Sequence, residues 1–133
     1  MIPRFITQLL TGKKITLMEK GENIRSWLSV EDHCRAIDII LKKGEIGQTY
    51  CIGGREKTNL EVAKKILKIF GKNNSWIEFV WDRAVNDFRY AIDDRKIRKL
   101  GWKPKQHFNT SLTQTVKWYK ENKWWWERLI KRT

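Results

Sequence analysis

Three arginines and a small group of acids are the side chains in this chain best suited to chemistry. Arg25 stands in the strand-like run IRSW, between Ile24 and Trp27. A guanidinium there is costly unless it meets water or a ligand, and its planar fork suits a diphosphate. On spacing alone the residue reads as a solvated strand arginine. Arg83 and Arg89 lie in a second polar stretch, DRAVNDFRY. Glu31, Asp32 and Asp38 invite an acid/base reading, yet Ser29 three residues before Asp32 marks a helix start. Acids in a first turn serve the cap and the helix dipole, so they are read as structural.

Other chemistries find no support. Gly53 and Gly54 follow QTYCI, but the third glycine and the spacing of a dinucleotide or Walker loop are missing, so no cofactor site is expected. Cys34 and Cys51 form no metal spacing with His33 and His107 and are expected to be buried thiols of a reducing compartment. The formal net charge of +13 raises the question of nucleic acid. The lysines are scattered over several predicted helices (Lys42, Lys43, Lys64, Lys65, Lys68, Lys117, Lys120), the pattern of a solvated face, and no nucleic-acid motif accompanies them. No apolar run reads as a signal peptide or membrane span, which makes the cytoplasm the default location.

The elements follow from periodicity. IPRFITQLL carries a helical stripe (Ile2, Phe5, Ile6, Leu9, Leu10) with Pro3 in its first turn. ITLM and IRSW read as two strands joined in a hairpin across Gly21. Ser29 starts a helix whose Val30, Cys34, Ile37 and Leu41 define one buried face up to Gly44. QTYCI reads as a strand. Thr58 and Glu61 have capping-box spacing ahead of Leu60, Ala63, Ile66, Leu67 and Phe70. WIEFVW is a further strand, residues 94–100 a short helix, and a last helix from about 109 carries Leu112, Val116 and Tyr119 toward Trp124, Trp125 and Trp126. At 133 residues the chain is expected to form one domain, 1–133.

Three ordered blocks, IRSWLSVEDHCRAI, QTYCIGG and RYAIDDRKIRKLGWKP, carry a resemblance. Together they are similar to the carboxy-terminal part of the nucleotide-sugar dehydratases, dTDP-glucose 4,6-dehydratase among them, in the NAD-dependent epimerase/dehydratase group of the extended short-chain dehydrogenase/reductase family. The resemblance implies an α/β fold of α+β character: the substrate-binding portion of such an enzyme, a small mixed sheet with helices and no Rossmann half. It implies that Arg25 contacts a nucleotide diphosphate. DRAVNDFRY corresponds to the family's DRPGHDRRY, which closes over the nucleotide, so Asp82, Arg83 and Arg89 become substrate-binding candidates, while Ala84, Val85, Asn86 and Phe88 depart from that pattern. Cys51 stands where the family's YNIGG has a substrate-binding asparagine, and Ser26 and Ser29 where it has an aspartate and a tyrosine. Thr16, Leu17 and Met18 align with a segment that lines base and sugar.

The resemblance further implies that NAD and the YxxxK pair belong to a part not matched here. Tyr50 has Gly54 four residues on and Tyr90 has Asp94; Tyr119 reaches Lys123 only inside the terminal helix. The expectation is therefore a nucleotide-sugar-binding region, inactive alone, that partners a Rossmann-domain chain or forms a homodimer, with Arg25, Arg83 and Arg89 lining one hollow. Two alternatives are an interaction module that pairs with a full-length dehydratase and, less favoured, a basic nucleic-acid binder.

Overall fold

The computed structural model describes residues 1–81 and 87–130. Helix α1 (Ile2–Leu10) carries Pro3 in its first turn, where the missing N–H would be unsatisfied anyway, and it buries Phe5, Ile6 and Leu9. Strand β1 (Ile15–Met18) follows; its alternation turns Ile15 and Leu17 inward and Met18 outward. A tight turn with Glu19 and Gly21 at positive φ leads to β2 (Ile24–Trp27).

The expected hairpin between these two strands does not form. β1 pairs in parallel with β4 (Ile77–Val80), and β2 pairs antiparallel with β3 (Arg55–Thr58). Nor does QTYCI form a strand: pairing with β2 starts just after the glycine pair. Gly54 explains this shift. Its N–H donates to Ser26 Oγ at 2.7 Å, and a Cβ there would sit 2.0 Å from the Trp27 carbonyl oxygen, so only glycine lets the two backbones meet.

Helix α2 (Val30–Lys43) is capped as expected, with Ser29 Oγ accepting from Asp32 N. The capping box of α3 (Asn59–Ile69) is complete: Thr58 Oγ1 accepts from Glu61 N at 3.1 Å, and Glu61 Oε2 accepts from Thr58 N at 2.8 Å. The short helix α4 (Arg95–Lys99) precedes α5 (Phe108–Glu121). The last expected helix is two helices, because the chain breaks at Asn122 before α6 (Lys123–Ile130). Only Trp126 of the tryptophan run is buried, and its Nε1 donates to Tyr119 O at 2.8 Å.

The larger core joins Phe5, Ile6 and Leu9 to Ile15, Leu17, Val62, Ile66, Leu67, Leu112 and Val116. A smaller cluster of Ala36, Ile97 and Trp102 gathers Ile39, Ile40, Tyr50 and Ile52 around it. Asp32 fastens α2 to this second cluster. Its carboxylate accepts from Lys105 N at 2.9 Å and Gln106 N at 3.1 Å and pairs with Arg35, while its carbonyl accepts from Trp102 Nε1 at 3.1 Å.

That fastening sets the roll of α2 and overturns the expected buried face. Asp32 and Ala36 turn inward; Val30, Cys34, Ile37 and Leu41 turn to solvent. Cys51 is exposed as well, so neither thiol is buried. The architecture is α/β, with helices packed on small β elements. No helix among the described residues is long and apolar enough to cross a membrane.

Candidate nucleotide-sugar site

Residues 87–90 run beside β2 and are strapped to it. Ile24 N donates to Phe88 O at 2.7 Å and Tyr90 N to Ile24 O at 3.3 Å, giving a parallel bridge between Ile24 and Arg89. Arg25 reinforces the strap from its side chain. Nη2 donates to Asp87 O at 2.9 Å, Nη1 to Phe88 O at 3.3 Å and to Ile24 O at 2.7 Å, and the guanidinium carbon lies 4.2 Å from the centre of the Tyr90 ring. Asn23, buried at the start of β2, adds a longer contact from Nδ2 to Asp87 O at 3.4 Å. Arg25 is thus half-buried against backbone and an aromatic face, not extended into open water.

Arg89 is committed elsewhere. Its Nε and Nη2 fork the carboxylate of Glu56 on β3 at 2.9–3.2 Å. The register settles the geometry: Arg25 lies opposite Lys57 and Ser26 opposite Glu56, and facing pairs share a side of a ladder while neighbours alternate. Arg25 and the Glu56-bound Arg89 therefore project from opposite faces of the ribbon, and these two do not line one hollow. Arg83 and Asp82 lie outside the described residues.

The candidates on β1 separate by the same alternation. Thr16 Oγ1 accepts from Arg4 Nη2 at 2.8 Å and Gln8 Nε2 at 3.1 Å, which ties it to α1. Leu17, expected to line base and sugar, is closed inside the larger core because it points inward with Ile15. Met18 alone of the three is exposed. Beyond it a cleft of about 520 Å³ opens between the 19–23 turn and the end of β4, bordered by Glu19, Lys20, Asn23, Phe79, Trp81 and Phe88. Phe79, Trp81 and Phe88 are all exposed there, a set of flat apolar walls beside the Arg25 strap. Cys51 sits apart, between Tyr50 and Ile52, which pack into the second cluster. A second cleft, about 530 Å³ and mostly apolar, lies between α1, α5 and the start of α2, with Trp27, Phe108 and Trp118 among its walls. None of the candidates among the described residues lines it.

Sequence reasoning missed Glu56 and Asn23. Glu56 becomes visible only through the β2–β3 register, and Asn23 only through the strap it meets. The sequence alone carries no signal for either.

The helix starts also speak to NAD. A pyrophosphate is held at a helix N-terminus that follows a glycine-rich turn, with N–H groups pointing at the anion. Here α2 and α3 open with Glu31, Asp32 and Glu61, whose carboxylates already occupy or oppose that position. The starts of α2 and α3 therefore offer a pyrophosphate no seat.

Comparison with known proteins agrees with this architecture. A sequence model described as GDP-mannose 4,6 dehydratase matches residues 1–115. The chain belongs to that family. It is 45% identical over 131 residues to a dTDP-glucose 4,6-dehydratase of Streptomyces niveus, covering 97% of this chain and 39% of the relative. Among solved structures, the dTDP-glucose 4,6-dehydratase of Bacillus anthracis in complex with NAD superposes with a TM-score of 0.90 at 46% identity, over 96% of this chain and 41% of that one. The Streptomyces venezuelae dTDP-glucose 4,6-dehydratase gives a TM-score of 0.91 at 43% identity, over 96% and 40%. The chain thus spans about two fifths of the length of the relatives it matches. The fold is that of a fragment of the extended short-chain dehydrogenase/reductase dehydratases, as the three sequence blocks implied.

Proposed function

We propose that this chain is the nucleotide-sugar-binding region of a dTDP-glucose 4,6-dehydratase-type enzyme and that it binds without turning over its ligand unless an NAD-binding half is present. The observation that carries this reading is near-complete coverage of the chain at 45% identity, against 39% coverage of the relative. In the enzyme so formed, NAD in the other half would take up and return hydride. This chain's part is to hold and orient. The aromatic walls around Phe79, Trp81 and Phe88 offer a surface for a base, and Arg25, through the 87–90 strap, sets a cation beside it. Arg89 contributes indirectly, by pinning the strap to Glu56.

The test is calorimetric titration of dTDP and UDP into the chain, alone and joined to the NAD-binding part of a dTDP-glucose 4,6-dehydratase. Heat of binding is expected with the joined form and no turnover of dTDP-glucose by the chain alone. Absence of binding in both settings would sink the reading. An interaction module without a ligand of its own, or a nucleic-acid binder, would instead show no response to dTDP, and the latter would give salt-dependent retention in a mobility-shift assay.

A further inference from the structure

Neither the tryptophan run of α6 nor the formal net charge of +13 serves the cleft beside β4. At about 3.6 residues per turn, Trp126 turns one side of α6 into the protein, and Trp124, Arg128, Trp125 and Leu129 follow one another in that order round its solvent side. All four are exposed, Trp124 by 63%. The stripe continues onto α5, where Trp118, also exposed, meets the Trp125 ring edge-on with centroids 5.3 Å apart. Three indole rings and a leucine thus form one outward patch, and contiguous apolar patches on a soluble chain mark interaction sites.

Arg128 decides which cover suits the patch. It stands inside the stripe, its Nε donating to Trp124 O at 3.2 Å and its guanidinium carbon 5.7 Å from the centre of the Trp124 ring. Among the described residues no carboxylate pairs with it. A dry apolar interface would strip water from that charge at high cost. At a bilayer surface the two demands are met at one depth: indole rings settle among the headgroups, and the arginine reaches lipid phosphates from between them. Lys123 opens α6, Lys117 and Lys120 lie on the last turns of α5, and the sequence runs on through Lys131 and Arg132. The opposing acids are Glu127 on α6 and Glu121 on α5, the latter paired with Lys117 at 3.8 Å.

We propose that the face formed by Trp118, Trp124, Trp125, Arg128 and Leu129 docks on an anionic phospholipid bilayer, with α6 lying in the headgroup plane. With eight residues in α6, and no described helix long and apolar enough to span, the contact is interfacial. The charge of the whole chain supplies long-range attraction and the rings supply the hold at short range. A second copy is the poorer cover, because +13 on each copy opposes association and an isologous contact would bring two unpaired Arg128 groups into one interface. Nucleic acid could stack on the indoles but leaves Leu129 without a partner.

Sedimentation with sucrose-loaded vesicles tests the proposal. The chain is expected to bind vesicles of phosphatidylglycerol and phosphatidylcholine (about 3:7) at least about five-fold better than phosphatidylcholine alone, and to lose that advantage in about 0.5 M salt. Lipids brominated along their acyl chains should quench its tryptophan emission. Trp124→Ser combined with Trp125→Ser should lower binding at least about ten-fold, remove most of the quenching and leave the circular-dichroism spectrum unchanged, since both side chains are exposed. Lys42→Gln combined with Lys43→Gln removes two charges from α2 and should cost less than about two-fold. No sedimentation with anionic vesicles, or binding without quenching, overturns the proposal, and the quenching of the wild-type chain decides even if the tryptophan variant fails to fold. An equal loss in the lysine variant also overturns it, because charge alone would then be acting. Pelleting without lipid that the tryptophan variant cures assigns the face to a second copy instead, and displacement from vesicles by polyuridylate that depends on Trp124 and Trp125 assigns it to nucleic acid. Loss of vesicle binding in the form joined to the NAD-binding part refutes a lipid face as well, whatever that form does with dTDP.

Discussion

Removal of the Asp32 carboxylate should detach α2 from the 102–106 segment, and the size of the effect can be worked out from its contacts. The side chain is 2% exposed and accepts from the backbone N–H groups of Lys105 and Gln106 while pairing with Arg35. Asp32→Ala leaves two N–H groups without an acceptor, at about 1–3 kcal/mol each where water cannot replace the oxygen. It also leaves the Arg35 guanidinium, about one third exposed, without its carboxylate. Water reaches part of that site, so the total should be on the order of 3–5 kcal/mol, the range for breaking one side of a buried pair. Asp32→Asn keeps one acceptor oxygen but turns an NH2 toward a donor, and should cost about 1–3 kcal/mol. Urea unfolding followed by circular dichroism measures both, and hydrogen exchange at the amides of 105 and 106 localises the change. A loss below about 1 kcal/mol for Asp32→Ala would show that the carboxylate does not carry this junction.

Four further outcomes follow from local geometry. Gly54→Ala drives a Cβ to 2.0 Å from the Trp27 carbonyl oxygen and should cost at least about 2 kcal/mol by urea unfolding, in the range of overpacked sites, through loss of the β2–β3 approach. Thr58→Ala should cost about 1 kcal/mol through the α3 cap. The backbone N–H of Thr58 holds the Glu61 carboxyl below its ordinary value, so its share of stability is present above the unfolded value and is lost as pH falls through the lower folded one. The stability difference between wild type and Glu61→Gln should accordingly shrink in acid, and a difference that grows there would contradict the capping box. Glu56→Gln should change stability by less than about 1 kcal/mol, because its partner Arg89 and Glu56 itself are both well exposed. A double-mutant cycle with Arg89→Lys reads that pair, and a coupling of several kcal/mol would refute its exposed character.

Helix starts were the most legible part of the sequence because their signals are local. Ser29, Thr58 and Pro3 each act within four residues, and all three helices begin where those residues stand. Strand partners were illegible for the opposite reason. Nothing in ITLM states that its partner is a segment some sixty residues downstream instead of the strand that follows it. The face of α2 was misread because two apolar stripes run along one helix, and the choice between them was made by Asp32 contacts more than seventy residues away in sequence. In the candidate site, the sequence placed Arg25 on a strand, as found, and its resemblance grouped it with Arg89. Pleating separated them, and the carboxylate that claims Arg89 sits on a strand expected several residues earlier.

Arg25 remains the residue on which the binding reading can be divided into charge and shape. Its fork spans two carbonyls of the strap while its plane lies on Tyr90, a combination a lysine ammonium cannot reproduce, since it is a point charge on a flexible stem. If anion attraction alone matters, Arg25→Lys should retain most of the dTDP affinity of the fused form and Arg25→Ala should lose it. If the strap must be held for the aromatic walls to stand, both variants should lose at least ten-fold, and the amides of Phe88 and Tyr90 should exchange faster in each. The interlocked contacts favour the second outcome. Because those amides are measured without ligand, the result separates a residue that positions the site from one that touches its occupant: faster exchange with unchanged dTDP affinity would leave Arg25 a purely structural clamp and move the binding role to other residues of the cleft.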